Sequence, residues 1–180
     1  MKRDAEILVG VDGSAASMHA LDWAAAEARA RRLPLHVVCS YTLPSFTAAS
    51  LDGGYAALDD SAIQEGARAV LEEARARAEG AGVRTTATVT TGDAAGVLVE
   101  MSREHALVVV GTRGRGGFTE RLLGTVSSAL PAHAHCPTVV VPYRAGGKDD
   151  EGGAQELPPV RDLRRIVVGV DGSPSAEIAD

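Results

Sequence analysis

Glycines, hydroxyls and charges cluster between positions 111 and 125 in the pattern Gly111-x2-Gly114-x9-Gly124-Thr125, directly after the apolar run Leu107-Val108-Val109-Val110. Gly111, Gly114, Gly116 and Gly117 remove Cβ atoms from the loop, so that backbone N–H groups can close on an anion. Gly124 and Thr125 then open a helix, whose first N–H groups have no intrahelical partners and whose positive dipole end favours phosphate. Arg113 and Arg115 stand inside the loop, where they either offset phosphate charge or are simply solvated. A spacing that fixes both ends of the loop and adds a hydroxyl is more specific than a lone GxGxxG. The competing reading is a surface loop without a ligand.

Such a loop needs a sheet beneath it, and the chain alternates β-branched runs with alanine-rich stretches in the manner of a parallel sheet covered by helices. Strands are expected at residues 7–11, 35–40, 83–90, 107–110 and 138–141. Ser14 caps a first helix running to about residue 31, with Met18, Leu21, Ala25 and Ala28 on one stripe. A second, longer helix starts at Asp60 or Ser61 and buries Ile63, Ala67, Val70, Leu71, Ala74 and Ala78; Glu73 and Arg77 are spaced for an i, i+4 ion pair. Asp93 caps a short helix containing Val97, Leu98 and Met101, and another helix follows from Thr125, with Pro131 in its interior expected to bend it. The threonine-rich strand at 83–90 reads as an edge, the uniformly apolar one at 107–110 as central. Residues 41–59 show no period and read as a lid, a partner contact or a mobile loop. Right-handed crossovers then give an α/β fold, a doubly wound five-stranded parallel sheet of order 3-2-1-4-5 with helices on both faces. That order places Asp12 and Gly111 at neighbouring carboxyl ends, where such sheets bind ligands.

Composition narrows the class. The chain has 180 residues, with 18 basic against 24 acidic side chains and a net charge of −6, and its Lys and Arg form no continuous stripe, which argues against a nucleic-acid surface. No signal peptide or membrane-length apolar run is evident, so a soluble, cytoplasmic protein with no membrane partner is expected. Cys39 and Cys136 read as free thiols. His133 and His135 are poorly spaced for shared coordination, and no metal-ligating residues are assigned.

Residues 144–164 are rich in Gly, Pro and charge and read as a flexible linker. Beyond them Ile166-Val-Val-Gly-Val-Asp-Gly-Ser173 repeats Ile7-Leu-Val-Gly-Val-Asp-Gly-Ser14 with seven of eight positions identical. A repeat at domain length implies tandem copies. Residues 1–143 are therefore expected to form one domain, with 165–180 the truncated start of a second copy.

Together, Val9-Gly-Val-Asp-Gly-Ser14 and Gly-x2-Gly-x9-Gly-[Ser/Thr] resemble the ATP-binding branch of the universal stress proteins, in a form similar to the first domain of an actinobacterial tandem protein. The resemblance spans residues 5–143 and resumes at 165. It implies an adenine nucleotide (ATP with Mg²⁺, or AMP or ADP), a homodimer paired through the fifth-strand edge, and a role in stress adaptation. By matching positions it puts Gly10 and Asp12 against base and ribose and the Ser40 backbone at the adenine edge. Gly111, Thr112, Arg113, Gly114, Arg115, Gly116 and Gly117 would wrap ribose and phosphates, and Gly124 with Thr125 would hold the terminal phosphates. A glycine at 10 lets a flat ring approach, and a carboxylate at 12 suits ribose hydroxyls or Mg²⁺. His105-Ala106 departs from the acidic residue common there. The function implied is a regulatory nucleotide-binding module without catalytic residues. The alternative is a slow ATPase or phosphoryl/adenylyl transferase on the same site, against which stands the lack of a Walker-type Gly-Lys-[Ser/Thr] or other transfer motif.

Overall fold

Strand-forming runs and helical stripes settle into one alternating series in the computed structural model, which describes residues 6–42, 60–112 and 123–143. The order is β1 (Ile7–Gly10), α1 (Ala15–Arg31), β2 (Leu35–Tyr41), α2 (Asp60–Gly80), β3 (Thr85–Thr91), α3 (Ala94–Met101), β4 (Leu107–Gly111), α4 (Thr125–His133) and β5 (Thr138–Val141). All four strand pairings are parallel, and the five strands lie in the order β3-β2-β1-β4-β5. This is the doubly wound sheet that the alternation predicts.

Side chains of successive strand residues point to opposite faces, and the core divides accordingly. Ile7, Val9, Leu35, Val37, Cys39, Leu107 and Val109 pack with α1 and α2 through Leu21, Ala24, Ala28, Leu71 and Ala74. Leu8, Val38, Val108 and Val110 pack on the other face against Leu98 of α3 and Leu130 of α4. Burying both faces of β1 and β4 explains their uniformly apolar sequence. Each fully buried aliphatic side chain contributes about 1.5–3 kcal/mol relative to exposure.

Helix ends follow local chemistry. The Ser14 hydroxyl accepts from the Ser17 N–H at the start of α1, and the Asp93 carboxylate accepts from the Gly96 N–H at the start of α3, as expected. At the far end of α1, Arg32 takes a left-handed φ of 59°, and the next N–H, of Leu33, returns to the Ala28 carbonyl. Pro131 falls in the last turn of α4, which runs on to His133.

Two expectations change. Arg77 does not pair with Glu73: its guanidinium makes two 2.6 Å bonds to the Asp22 carboxylate, joining α2 to α1, because packing the alanine stripes face to face brings that acceptor within reach. The third strand starts at Thr85 rather than 83, with Val83 buried in the connection before it. Both cysteines are free, Cys39 in the core and Cys136 half-buried, where desolvation raises its thiol pKa. The loop at 43–59, the linker and the repeat at 165–180 lie outside the described residues.

Candidate functional site

β1 leads into α1 on one face of the sheet, whereas β4 leads toward α4 on the other. The chain therefore parts at the carboxyl ends of these two adjacent strands, which is where an open α/β sheet forms its crevice. Beyond β1 the backbone stays tied to the sheet by the Val11 N–H, which donates to the Val38 carbonyl at 2.9 Å. It then turns through Asp12-Gly13-Ser14. Gly13 has φ of 78°, a conformation that costs a side-chain-bearing residue more than glycine. One Asp12 carboxylate oxygen accepts from both the Ser14 N–H (3.0 Å) and the Ser14 hydroxyl (2.6 Å), which fixes the carboxylate against the turn.

Thr112 organises the other side. Its N–H donates to the Val141 carbonyl, its carbonyl accepts from the Gly124 N–H (2.8 Å) and the Ser127 hydroxyl (2.9 Å), and its hydroxyl accepts from the Tyr143 N–H (3.3 Å). The stretch leaving at Thr112 is thus returned to the same point at Gly124, and the exit of β5 is fixed beside it. Gly124 is the N-cap of α4 and supplies no side-chain acceptor, in contrast to Ser14 and Asp93. Thr125, the first residue of α4, is exposed. Ser40 lies near the carboxyl end of β2, opposite Thr90. Arg113, Gly114, Arg115, Gly116 and Gly117 lie outside the described residues.

The structure gives two of the glycines a packing reason that the sequence does not reveal. A Cβ on Gly111 would lie 2.6 Å from the Ala16 carbonyl oxygen and 3.1 Å from the Ser17 nitrogen, so glycine is what lets the first turn of α1 cross β4. A Cβ on Gly10 would lie 2.8 Å from a methyl of Leu98. In the direction a side chain at Gly10 would take, that position packs against Leu98 of α3.

A second polar cluster escaped the sequence reading. At the amino end of the sheet, one atom from each of Glu6, His36 and His105 lies within 4.8 Å of the others, and all three residues are half-buried. His36 is the second residue of β2, His105 precedes β4, and Glu6 precedes β1. Burial, then the neighbouring His105, lower the His36 pKa, against a smaller opposing effect of Glu6. No spacing rule connects positions 6, 36 and 105; only the register does so. His133 and His135 take no part in this cluster.

A model of the universal stress protein family matches residues 5–142. The chain is 34% identical over 184 residues to universal stress protein Rv2623 of Mycobacterium tuberculosis (strain H37Rv), covering 96% of this chain and 56% of that protein. It is 35% identical over 193 residues to universal stress protein Rv1996 of the same strain, with the same coverage. The chain thus spans about half the length of these curated relatives. Among solved structures, a universal stress protein in complex with cAMP superimposes with a TM-score of 0.58 at 29% identity, covering 76% of this chain and 96% of that one. A family member from Burkholderia pseudomallei gives 0.60 at 27% identity, covering 79% and 98%. Among the described residues, no helix is long and apolar enough to cross a membrane.

Proposed function

The chain belongs to the universal stress protein family, and from that premise we propose that it is a regulatory module that binds an adenine nucleotide, ATP with Mg²⁺ or its AMP or ADP forms. The observation that supports this reading is topological: Asp12 follows β1, and a helix start capped by a glycine follows the adjacent strand β4. An N-terminus whose cap residue has no side chain leaves its N–H groups to an anion, and the loop glycines beside it would let more backbone donors close on the phosphates. Asp12, already oriented by Ser14, would accept ribose hydroxyls or hold Mg²⁺. The 29%-identical structure with cAMP supports an adenine ligand. Ligand binding rather than turnover would be the output, consistent with the lack of a transfer motif in the sequence. The stress role follows from the family, and the half-buried β5 at the sheet edge is the surface we assign to homodimer pairing. The longer relatives support reading 1–143 as one domain of a tandem arrangement, with 144–164 as linker and 165–180 as the start of another copy.

Thermal melting of nucleotide-free protein tests the site. Millimolar ATP with Mg²⁺ should raise Tm, since ligand at 100 times its Kd stabilises by about 2.7 kcal/mol. Gly114→Val should abolish the shift, whereas Thr125→Ala should weaken binding by about 1.5–3 kcal/mol, the worth of one charge-assisted hydrogen bond. No shift in the parent protein, or an unchanged shift in folded Gly114→Val, would remove the loop from the site. Steady-state phosphate release at enzymatic rates would convert the binder into an ATPase.

A further inference from the structure

We propose that Glu6, His36 and His105 form a binding site for a divalent transition-metal ion of the zinc class, at the sheet end opposite the nucleotide crevice. The two ring nitrogens that face each other, Nδ1 of His36 and Nε2 of His105, are 3.1 Å apart. Two imidazoles on one tetrahedral Zn²⁺, each at about 2.0–2.1 Å, place their nitrogens about 3.3 Å apart. The pair therefore needs only a few tenths of an ångström of movement to admit the ion. A Glu6 carboxylate oxygen within 4.8 Å supplies a third, anionic ligand from a separate strand entrance. Three protein ligands at a half-buried position leave a fourth place for water.

The opposite nitrogens of both rings are already held as metal-binding histidines require. His105 Nδ1 lies 2.8 Å from the Met101 carbonyl, an atom that only accepts, so this nitrogen carries the proton and Nε2 presents its lone pair to the site. His36 Nε2 lies 2.8 Å from the Thr88 hydroxyl, which can either donate or accept. Without metal, His36 Nδ1–H donates to His105 Nε2 and Thr88 donates to His36 Nε2. With metal, the proton sits on His36 Nε2 and Thr88 accepts it, freeing Nδ1 for the ion without a change in ring charge. A hydrogen-bonded histidine pair alone would account for the 3.1 Å contact but gives no role to the carboxylate beside it. Bound metal would join the entrances of β1, β2 and β4, with β3 and α3 attached through Thr88 and Met101.

The experiment is titration of the chelator-stripped full chain with Zn²⁺ alone, followed by calorimetry, and with Co²⁺, followed by its visible absorption. One ion per chain and a four-coordinate cobalt band are expected. His36→Ala, or His105→Ala, should lower affinity by more than the roughly 10–100-fold loss typical of a second-shell partner, and Thr88→Val should show that smaller loss although it touches no metal. Should His105→Ala not fold, Glu6→Gln, which removes a ligand charge while keeping the side-chain shape, must still weaken binding. His133→Gln and His135→Gln should change nothing. Absence of Zn²⁺ binding, undiminished binding in the folded His36→Ala or Glu6→Gln protein, or loss of binding in the His133 or His135 variants overturns the site.

Discussion

At the carboxyl ends of β1 and β4 the polar groups come from two continuous stretches, around positions 10–14 and 111–125, whereas at the amino ends they come from positions scattered across the chain. In the first region the side-chain contacts of Asp12 and Ser14 are short-range, Asp12 to Ser14 and Ser14 to Ser17, and the longer-range ties, such as Gly124 to Thr112 and Thr112 to Val141, run through the backbone. The second region joins His36 to His105 and Thr88, and Ser102 to the His135 N–H, contacts spanning 69, 52 and 33 positions. Glycine and backbone geometry shape the one; side chains brought together by strand register shape the other. Perturbing each end in turn should therefore reveal different kinds of loss.

The largest loss is expected from Gly111→Ala. Its new Cβ would meet the Ala16 main-chain carbonyl at 2.6 Å, and a helix backbone cannot rotate aside as a side-chain tip can. Overpacking of this kind costs about 1–3 kcal/mol, and the main-chain clash puts Gly111→Ala near the top of that range. Gly10→Ala meets only a methyl of Leu98, which can change rotamer, so it should lose less. Urea denaturation of both variants measures the difference. Equal losses would mean that the crossing of α1 over β4 is not what demands glycine at 111.

Next comes the amino end, where Ser102 is fully buried and bridges two segments. Its hydroxyl donates to the Val99 carbonyl and accepts from the His135 N–H at 2.8 Å. Ser102→Ala leaves that N–H without its acceptor, at a cost of about 1–3 kcal/mol. We expect a loss near 2 kcal/mol in metal-free protein. A change under about 0.5 kcal/mol, the range of an ordinary surface substitution, would show that water replaces the hydroxyl and that this end is not held by its side chains.

This contrast also sets what the sequence discloses. Strand order, both faces of the sheet and the Ser14 and Asp93 caps follow from periodicity and local chemistry, which act over a few residues. The glycine pattern and Asp12 likewise stand in contiguous motifs. The partner of Arg77 was misread because i, i+4 spacing is a local rule, while Asp22 reaches it only through the packing of α1 on α2. Leu98 beside Gly10, and Ala16 against Gly111, are tertiary contacts with no local signature. His105 stood out in the sequence as a departure from the family pattern, but nothing near it points to positions 6 or 36. Chemistry assembled by register becomes visible only once the register is known.

The smallest effect, from Ser14→Ala, separates stability from binding at the carboxyl end. The Ser14 hydroxyl has two roles: it accepts from the Ser17 N–H as the cap of α1, and it donates to Asp12 at 2.6 Å. Removing a serine cap costs about 1 kcal/mol. The alanine backbone still provides the N–H that bonds the Asp12 carboxylate at 3.0 Å, so the carboxylate keeps part of its orientation. The ligand-free protein should therefore melt lower while ATP with Mg²⁺ still raises Tm, whereas Asp12→Ala should lose most of the ATP-dependent increase. If Ser14→Ala abolished the increase and Asp12→Ala left it intact, the contact with the ribose or the metal ion would belong to the serine hydroxyl. The carboxyl end would then depend on a side chain in the same way as the amino end.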